Sequence, residues 1–304
     1  MSAHPIGNNQ TPRLVILGAG YIGSALARDA RARGQPVVAL TRNVGTAKEL
    51  EALGVRTVVA DLASGDWHSQ IGATDWVVNC VSSGGGGRGG YQHSYVDGLH
   101  SIRRWLARSG KVETLVYTSS TSVYPQMTGT VTESSPTNGG GNAALLVEAE
   151  EIVRAIAQEQ LVESAVVLRL AGIYGPRRHH LLDHLQNSPG VLVGGKGEHR
   201  LNLIHRDDVV AAILAVLAKS AEGEVSDFEI FNVTDDAPMP KSDVVNWIAQ
   251  QIGVTAPGFS GVPVPGRRAD PPDRAVSNEK IKQRLGWRPR FPNFKAGYAQ
   301  ILGA

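Results

Sequence analysis

The chain has 304 residues, 42% of them hydrophobic and 19% charged, which is enough apolar material for one large domain or two small ones with a buried core. With 30 Lys and Arg against 28 Asp and Glu, the net charge of +2 is too balanced for an electrostatic binder of nucleic acid or anionic membranes. The single cysteine, Cys80, excludes an intramolecular disulfide and a multi-cysteine zinc site.

Neither an export signal nor a membrane span is predicted. Residues 1–13 are polar and have no apolar core of a signal peptide. The most apolar stretch, residues 209–218, is too short to cross a bilayer. We therefore expect a cytoplasmic protein, and the balanced charge predicts no nucleic-acid or membrane partner.

The first 170 residues alternate short apolar runs with helical stretches. Strands are predicted at 13–17, 37–40, 56–60, 76–80, 114–118 and 165–170, and helices at 22–33, 46–53, 91–108 and 143–158. Continuously apolar strands separated by helices indicate a parallel sheet that is covered on both faces. The prediction is a doubly wound α/β fold of the Rossmann type, with ligands beyond the carboxyl ends of the strands.

This rhythm weakens after residue 175. Strands are predicted at 191–193, 202–205 and 229–233, helices at 207–219, 241–252 and, as the last, 279–285, and a Pro/Gly-rich loop at 256–272. We predict a first, ligand-binding domain over residues 1–171. A smaller substrate-binding region is predicted over 172–304, with elements of about 202–233 returning to the first sheet.

A glycine motif, GAGYIG at 18–23, follows the first predicted strand and opens the first predicted helix. In such a motif Gly18 permits a tight turn, Gly20 lets a pyrophosphate approach the backbone, and Gly23 lets the helix pack closely on the sheet. The helix N-terminus offers free N–H groups and the positive end of its dipole. The motif favours a dinucleotide site, and the alternative is a plain strand-to-helix turn.

The end of the second predicted strand bears on the choice of cofactor. NAD sites usually place an acid there, but none occurs between Asp29 and Glu49, and the strand runs into Thr41 and Arg42. A guanidinium at this place can pair with a 2′-phosphate, so NADP is preferred and NAD is possible. The alternative is that Arg42 is a solvated loop residue. Asp61, after the third strand, can accept from an adenine amine or cap a turn.

Five further stretches of the sequence match motifs of a known protein family. They are 117–125 (YTSSTSVYP), 168–176 (LRLAGIYGP), 202–208 (NLIHRDD), 231–235 (FNVTD) and 285–289 (LGWRP). Together with the glycine motif, they resemble the extended short-chain dehydrogenase/reductases, the group that contains nucleotide-sugar epimerases and dehydratases. The resemblance covers residues 13 to 300 and implies their NAD(P)-binding fold.

The resemblance also implies a set of cofactor contacts. The pyrophosphate turn would be formed by Gly18, Gly20, Tyr21, Ile22 and Gly23, and the adenine pocket by Asp61 and Leu62. Residues under the cofactor would be Cys80, Val81 and Ser82, and those approaching the nicotinamide would be Ser119, Ser120, Ala171, Gly172 and Ile173.

The catalytic pair of that family is a tyrosine with a lysine four residues later, and the sequence lacks it at the expected place. There is no tyrosine between residues 124 and 174 and no lysine between 111 and 196. Aligning Glu150 with the family's helix glutamate puts Asn142 and Leu146 at the two positions. Neither side chain can act as a general acid near neutral pH. The chain therefore resembles the atypical extended subgroup, which keeps the cofactor fold without the pair.

Two residues are candidates for a substitute catalytic group. Ser120 can polarise a carbonyl, although an unassisted hydroxyl is a weak acid. Tyr174 can present a phenol, but it matches a family tyrosine that is regarded as structural. Tyr124 is open to the same structural interpretation.

Two other clusters have no assigned chemistry. The glycine-rich segment 84–90 is predicted to be a flexible flap over cofactor or substrate, with Arg88 able to reach an anion; the alternative is a mobile linker. His180 and His184 lie one helical turn apart, a spacing seen in zinc sites. A third ligand is not evident, so a solvated or cleft-lining cluster is favoured and no metal is predicted.

Substrate recognition is predicted from arginines in the second half of the chain. The segment RRAD at 267–270 resembles the Arg-x-Gly-Asp of UDP-sugar enzymes, in which an arginine grips a phosphate, and Arg267 is the matching residue. Arg177 and Arg200 add positive charge, so an anionic substrate is expected. Surface arginines in a mobile loop are the competing explanation.

Two functions stay open from the sequence. The first is an NADP-preferring epimerase, dehydratase or reductase that acts on a nucleotide-linked or phosphorylated small molecule with a non-standard proton donor. The second is a catalytically silent NAD(P)-binding sensor or regulatory protein, which the absent pair favours. A scaffold that has also lost the cofactor is disfavoured by the intact glycines. The resemblance makes a homodimer the default.

Overall fold

The protein is described here from a computed structural model, which covers residues 11–137, 140–262 and 273–303. Its strands are β1 (Leu14–Leu17), β2 (Val37–Thr41), β3 (Arg56–Val59), β4 (Trp76–Asn79), β5 (Val112–Ser120), β6 (Gly129–Val131), β7 (Val162–Leu170), β8 (Gly172–Tyr174), β9 (Arg200–Leu201), β10 (Leu203–His205), β11 (Phe228–Val233), β12 (Met239–Pro240) and β13 (Arg274–Val276).

The α-helices are α1 (Tyr21–Ala32), α2 (Val44–Glu51), α3 (Gly87–Tyr91), α4 (Gly98–Leu106), α5 (Asn142–Gln158), α6 (His180–Asn187), α7 (Arg206–Ala221), α8 (Lys241–Gln251), α9 (Glu279–Leu285) and α10 (Phe294–Leu302). A π-helical segment, Gln92–Asp97, joins α3 to α4, and a 3₁₀ turn, Thr121–Val123, follows β5.

Seven parallel strands form the central sheet, in the order β11-β7-β5-β4-β1-β2-β3. The strand order changes direction beside β1, whose neighbours are β2 and β4. In such sheets the crevice for ligands opens beyond the carboxyl ends of the strands at this switch point. The predicted doubly wound α/β fold is confirmed.

Both faces of the sheet are buried because side chains along each strand alternate between two cores. One core joins strand residues such as Ile16 to Leu26 of α1 and Ile213 of α7. The other joins Leu17 to the side chains of α4 and α5, among them Val153. The glycine motif at the end of β1 is thereby held rigidly between the two layers.

A smaller lobe packs around α6, α8 and α10. Its core contains Tyr174, Leu185, Val245, Ile248 and Phe294. β11, from the second half of the chain, pairs with β7 in the central sheet, while β10 pairs with β8 outside it. Within the described residues, no helix is long and apolar enough to cross a bilayer.

The predicted elements of the second half needed correction. Residues 191–193 are not a strand, and Val193 makes an isolated bridge to Phe259. The helix at 279–285 is not the last, because α10 follows it. Sequence patterning missed α10 because it contains Gly297, and glycine weakens the helix signal. The structure explains the glycine, since a side chain there would collide with the Tyr174 hydroxyl. The strands β6, β12 and β13 were also missed, because two or three residues carry no periodicity.

Candidate cofactor site

The three motif glycines occupy one tight turn between β1 and α1. Gly18 has φ +91°, and an added Cβ would lie 2.6 Å from the Val81 Cγ2 atom, so neither the backbone nor the space admits a side chain. At Gly23 a Cβ would collide with the Gly18 carbonyl oxygen. Both glycines are therefore required for close packing of the turn against β4 and α1.

Gly20 differs from its neighbours because a Cβ there would meet nothing within 4 Å. The bare backbone at Gly20 thus faces open space. The adjoining N-terminus of α1 has no side-chain cap and no acid in its first turn. Its first N–H groups lack intrahelical acceptors, and the dipole favours negative charge there. This cradle fits the pyrophosphate of a dinucleotide.

Tyr21, the first residue of α1, is flanked by two cations. Its hydroxyl donates to the Pro176 carbonyl at 3.0 Å, and the guanidinium carbons of Arg178 and Arg206 each lie 5.3 Å from the ring centroid. Sequence reasoning did not assign these two arginines to the cofactor end of the molecule. Two positive charges beside an open helix N-terminus add to the attraction for phosphate.

Arg42, Asp61 and His93 meet at the ends of β2 and β3. The Arg42 Nη1 atom lies 3.5 Å from Asp61 Oδ2, and His93 Nε2 lies 2.9 Å from Asp61 Oδ1. The Ala63 amide also donates to Oδ1, at 2.9 Å. Although burial raises the pKa of Asp61, the bonds from His93 and Ala63 and the charge of Arg42 leave it below its usual value. Asp61 is therefore an ionised carboxylate, with His93 beside Oδ1 and Arg42 beside Oδ2.

Thr41 and Leu62, predicted beside these residues, are buried. The Thr41 hydroxyl accepts from the Asn43 amide at 3.1 Å, and Asn43 in turn caps α2. The Leu62 side chain packs against Gly98, where an added Cβ would lie 3.0 Å from the Leu62 Cδ2 atom. Both side chains pack into the interior beside Asp61, and His93, which the sequence did not single out, contacts the Asp61 carboxylate.

The end of β4 forms the floor of the turn. Val81 packs on Gly18, and its amide donates to Asn79 Oδ1 at 3.1 Å. Burial raises the pKa of the Cys80 thiol to about 12, so Cys80 is a neutral, inert side chain. Ser82 is exposed at the start of the glycine-rich segment.

Ser119 belongs to a buried polar network rather than to the open cleft. Its hydroxyl donates to Glu150 Oε1 at 2.6 Å, and Arg169 Nη2 donates to Glu150 Oε2 at 2.6 Å. Arg169 also donates to the Tyr124 hydroxyl, which donates to Asn232 Oδ1. The network ties β5, α5, β7 and β11 together beneath the cleft.

Ser120 is partly exposed at the end of β5. Its hydroxyl accepts from the Ser122 amide at 3.1 Å and so caps the 3₁₀ turn. Asn142 begins α5, and Leu146 is buried in a small cluster with Val123 and Tyr124. Of the two predicted catalytic residues, Ser120 is thus the one that solvent can reach, because Tyr174 is buried.

The three residues after β7 are held by backbone hydrogen bonds to two other segments of the chain. The Ala171 amide donates to the Val233 carbonyl at 3.0 Å, and the Gly172 amide donates to the Asn202 carbonyl at 2.9 Å. Ile173 is partly buried against the first core. These bonds place the segment at the junction of the sheet and the smaller lobe.

Tyr174 points into the smaller lobe. Its ring stacks on Tyr298 at 5.0 Å, and its hydroxyl lies against Gly297. Among the described residues that hydroxyl has no hydrogen-bond partner, and burial raises its pKa well above the usual value. Tyr174 therefore fits a packing role, and its position does not suit proton transfer.

The segment 84–90, which is predicted to be a flap, is helical over part of its length. Residues from Gly87 onward form α3, and the exposed Arg88 donates to the Gly141 carbonyl at 3.0 Å. A Cβ at Gly84, whose φ is +61°, would lie 3.3 Å from Arg42 Nη2. The glycines therefore let the chain pass close to Arg42.

The predicted substrate arginines are separated. Arg177 is exposed with φ +64°, and Arg200 forms an ion pair with Asp273 at 2.9 Å. Arg267 lies outside the described residues. His184, of the histidine pair, lies 3.1 Å from the Val191 carbonyl, and among the described residues no three metal-ligating side chains cluster.

Comparisons with known proteins identify the family and the fold of the chain. The family described as "NAD dependent epimerase/dehydratase family" matches residues 14–234. Protein YeeZ of Escherichia coli (strain K12) is 25% identical over 292 residues, 92% of this chain and 97% of that protein. The dTDP-D-glucose 4,6-dehydratase of Mus musculus is 26% identical over 215 residues, 66% of this chain and 59% of that protein.

Solved structures show the same fold. MoeE5 in complex with UDP-glucose and NAD superposes with a TM-score of 0.82 at 22% identity and covers 96% of this chain and 97% of its own. The UDP-glucuronic acid 4-epimerase of Bacillus cereus, in complex with UDP-glucuronic acid and NAD, has a TM-score of 0.80 at 18% identity and covers 96% and 99%. At such identities the likeness establishes the fold.

Proposed function

Since this chain belongs to the NAD dependent epimerase/dehydratase family, we propose that it binds a nicotinamide dinucleotide with the pyrophosphate on the turn of Gly18, Gly20 and Gly23. The observation that carries this proposal is the bare backbone of Gly20 beside the uncapped N-terminus of α1. A side chain has no room at Gly18 or Gly23, whereas the open space at Gly20 is of the kind that a phosphate fills.

The proposed cofactor is NADP in preference to NAD. Arg42 follows β2, where an NAD site usually carries an acid, and its side chain is 59% exposed. Its separation of 3.5 Å from Asp61 is long for an ion pair, so the guanidinium is free to turn toward a 2′-phosphate. MoeE5 and the epimerase above are complexes with NAD, so the proposed preference for NADP rests on Arg42 and on the lack of an acid after β2 in this chain.

The proposed activity is an epimerase-, dehydratase- or reductase-like reaction on a nucleotide-linked or phosphorylated small molecule. A bound nicotinamide would supply hydride transfer. Ser120, at the end of β5, would donate a hydrogen bond to the substrate oxygen, and Arg177 and Arg200 would attract its phosphate. Because Asn142 and Leu146 cannot exchange protons, the acid/base group is non-standard in this proposal.

Asn142 and Leu146, at the positions of the family's catalytic pair, favour a second function. Leu146 is buried, and in the described part of α5 no ionisable side chain stands at position 142 or 146. A protein that binds NAD(P) without turning over a substrate would use the intact glycine turn and need nothing at the missing pair. A redox sensor or regulatory protein is therefore the alternative.

The test is equilibrium titration with NADPH and NADH, followed by turnover assays with nucleotide sugars and phosphorylated carbonyl compounds. Binding with turnover supports the enzyme, and binding without turnover on this panel supports the sensor. Arg42→Ala should weaken NADPH by about tenfold and leave NADH unchanged. Arg33→Ala, which removes an exposed arginine paired with Asp29, is the matched control. Equal losses for both cofactors would refute the NADP preference.

A further inference from the structure

Asp61 is shared by two basic side chains that come from different elements. Arg42 approaches Oδ2 at 3.5 Å, and His93 lies 2.9 Å from Oδ1. The carboxylate is 31% exposed, and both bases reach it from the solvent side of the pocket, with side chains 59% and 49% exposed. The three side chains are therefore accessible to an anion that approaches from solvent.

His93 reaches Asp61 from an unusual stretch of helix. It lies in the π-helical segment Gln92–Asp97, between α3 and α4. π-helical turns add a residue to a helical turn, and they occur frequently at functional sites. At the neighbouring Gly98, the first residue of α4, an added Cβ would lie only 3.0 Å from the Leu62 side chain. The start of α4 therefore packs closely on the segment after β3. This packing holds His93 opposite Asp61.

We propose that His93 is a cofactor-selectivity residue, which holds the Asp61 carboxylate and thereby leaves Arg42 available to a 2′-phosphate. The inference rests on the proposed binding of NADP at Arg42. Without His93, Asp61 would keep Arg42 as its remaining side-chain partner, and its negative charge would face the 2′-phosphate with one hydrogen-bond donor fewer. Both effects disfavour NADPH and leave NADH, which lacks that phosphate, little affected.

The size of the effect follows from the exposure of the three side chains. Exchanges between exposed ion pairs change an equilibrium only modestly, because water and salt screen the charges. We expect His93→Ala to lower the NADPH:NADH affinity ratio about two- to fivefold. His93→Gln keeps a side-chain N–H donor and should retain most of the ratio.

The experiment measures dissociation constants of NADPH and NADH by equilibrium fluorescence titration, independently of turnover. The variants are His93→Ala, His93→Gln and His100→Ala, the last a matched control on α4 of the same continuous helix. A fall in the ratio for His93→Ala that His93→Gln restores supports the proposal. An unchanged ratio, or an equal loss for both cofactors, overturns it.

Asp61→Asn provides a second, independent readout. If His93 acts through the Asp61 charge, adding His93→Ala to Asp61→Asn should leave the affinity ratio unchanged. A further fall in the double variant would overturn the proposed route through Asp61. If Arg42→Ala leaves NADPH selectivity intact, the proposed NADP site itself fails; if Arg42→Ala lowers it and His93→Ala does not, only the role of His93 fails.

Discussion

Glu150 and Arg169 form a buried ion pair in which two guanidinium nitrogens donate to the carboxylate, Nη2 to Oε2 at 2.6 Å and Nε to Oε1 at 3.0 Å. Each residue is 4% exposed. The Ser119 and Tyr124 hydroxyls complete the hydrogen bonds of the pair. A buried pair of this kind is strongly destabilising when one partner is lost.

Glu150→Gln should therefore lower the free energy of unfolding by about 3–5 kcal/mol, because Arg169 keeps its charge without a counter-ion. Urea unfolding measures the change. The control is Glu151→Gln, an exposed neighbour 3.3 Å from Arg154, which should change stability by less than about 0.5 kcal/mol. Equal effects of the two substitutions would show that the buried network does not stabilise the fold.

Substitutions at the glycine turn should separate folding from cofactor binding. Gly20→Ala adds a methyl group in open space, but residues with a side chain rarely adopt the backbone angles there, φ −83° and ψ −143°, so we expect a loss of about 1 kcal/mol of stability. NADPH and NADH should both bind at least about tenfold more weakly. Gly23→Ala should cost about 1–3 kcal/mol of stability, because its methyl group collides with the Gly18 carbonyl. Thermal melts and cofactor titrations measure both. Unchanged affinity in a folded Gly20→Ala protein would contradict a pyrophosphate site at the turn.

Asp235 should make the protein less stable as the pH rises. It is 2% exposed and its Oδ2 atom has no partner among the described residues, so burial raises its pKa to about 8, with Asp236 and Asp208 adding to the effect. Unfolded, its pKa is about 3.9. Between these values the folded state holds the proton that the unfolded state has lost. The contribution of Asp235 to stability therefore falls from pH 4 to 8 and levels off above 8.

Asp235→Asn mimics the protonated carboxyl, so its stability relative to the wild type should rise by roughly 1–2 kcal/mol between pH 6.5 and 8. Urea unfolding at several pH values measures this difference. Burial also lowers the pKa of His205, to about 4, which makes stability rise between pH 4 and 6.5. That opposite contribution is common to both proteins and cancels in the difference. A constant difference across pH 6.5–8 would show that Asp235 is ionised in the folded state.

Tyr174→Phe should leave stability unchanged or raise it by about 1 kcal/mol. The substitution removes a buried hydroxyl that has no hydrogen-bond partner among the described residues and keeps the stack on Tyr298. Turnover, where an active substrate is found, should also persist. A loss of turnover with normal cofactor affinity would restore Tyr174 as a proton donor.

Local patterns in the sequence were enough to predict the class of fold and to locate the glycine turn that is proposed to bind the pyrophosphate. The apolar strands separated by helices require a parallel sheet with two covered faces, and Gly18, Gly20 and Gly23 follow directly after the first strand. These are local signals, because periodicity and backbone freedom depend on a few neighbouring residues. The absence of a tyrosine and lysine pair near α5 is also legible in the sequence.

Which side chains are exposed and which are buried depends on how distant segments of the chain pack together. Ser119 and Ser120 are adjacent in sequence, yet one hydroxyl is buried against Glu150 and the other is partly exposed, because successive strand residues point to opposite faces. His93 lies 32 residues from Asp61 and meets it through helix packing. Such contacts join distant segments, so no local pattern in the sequence encodes them.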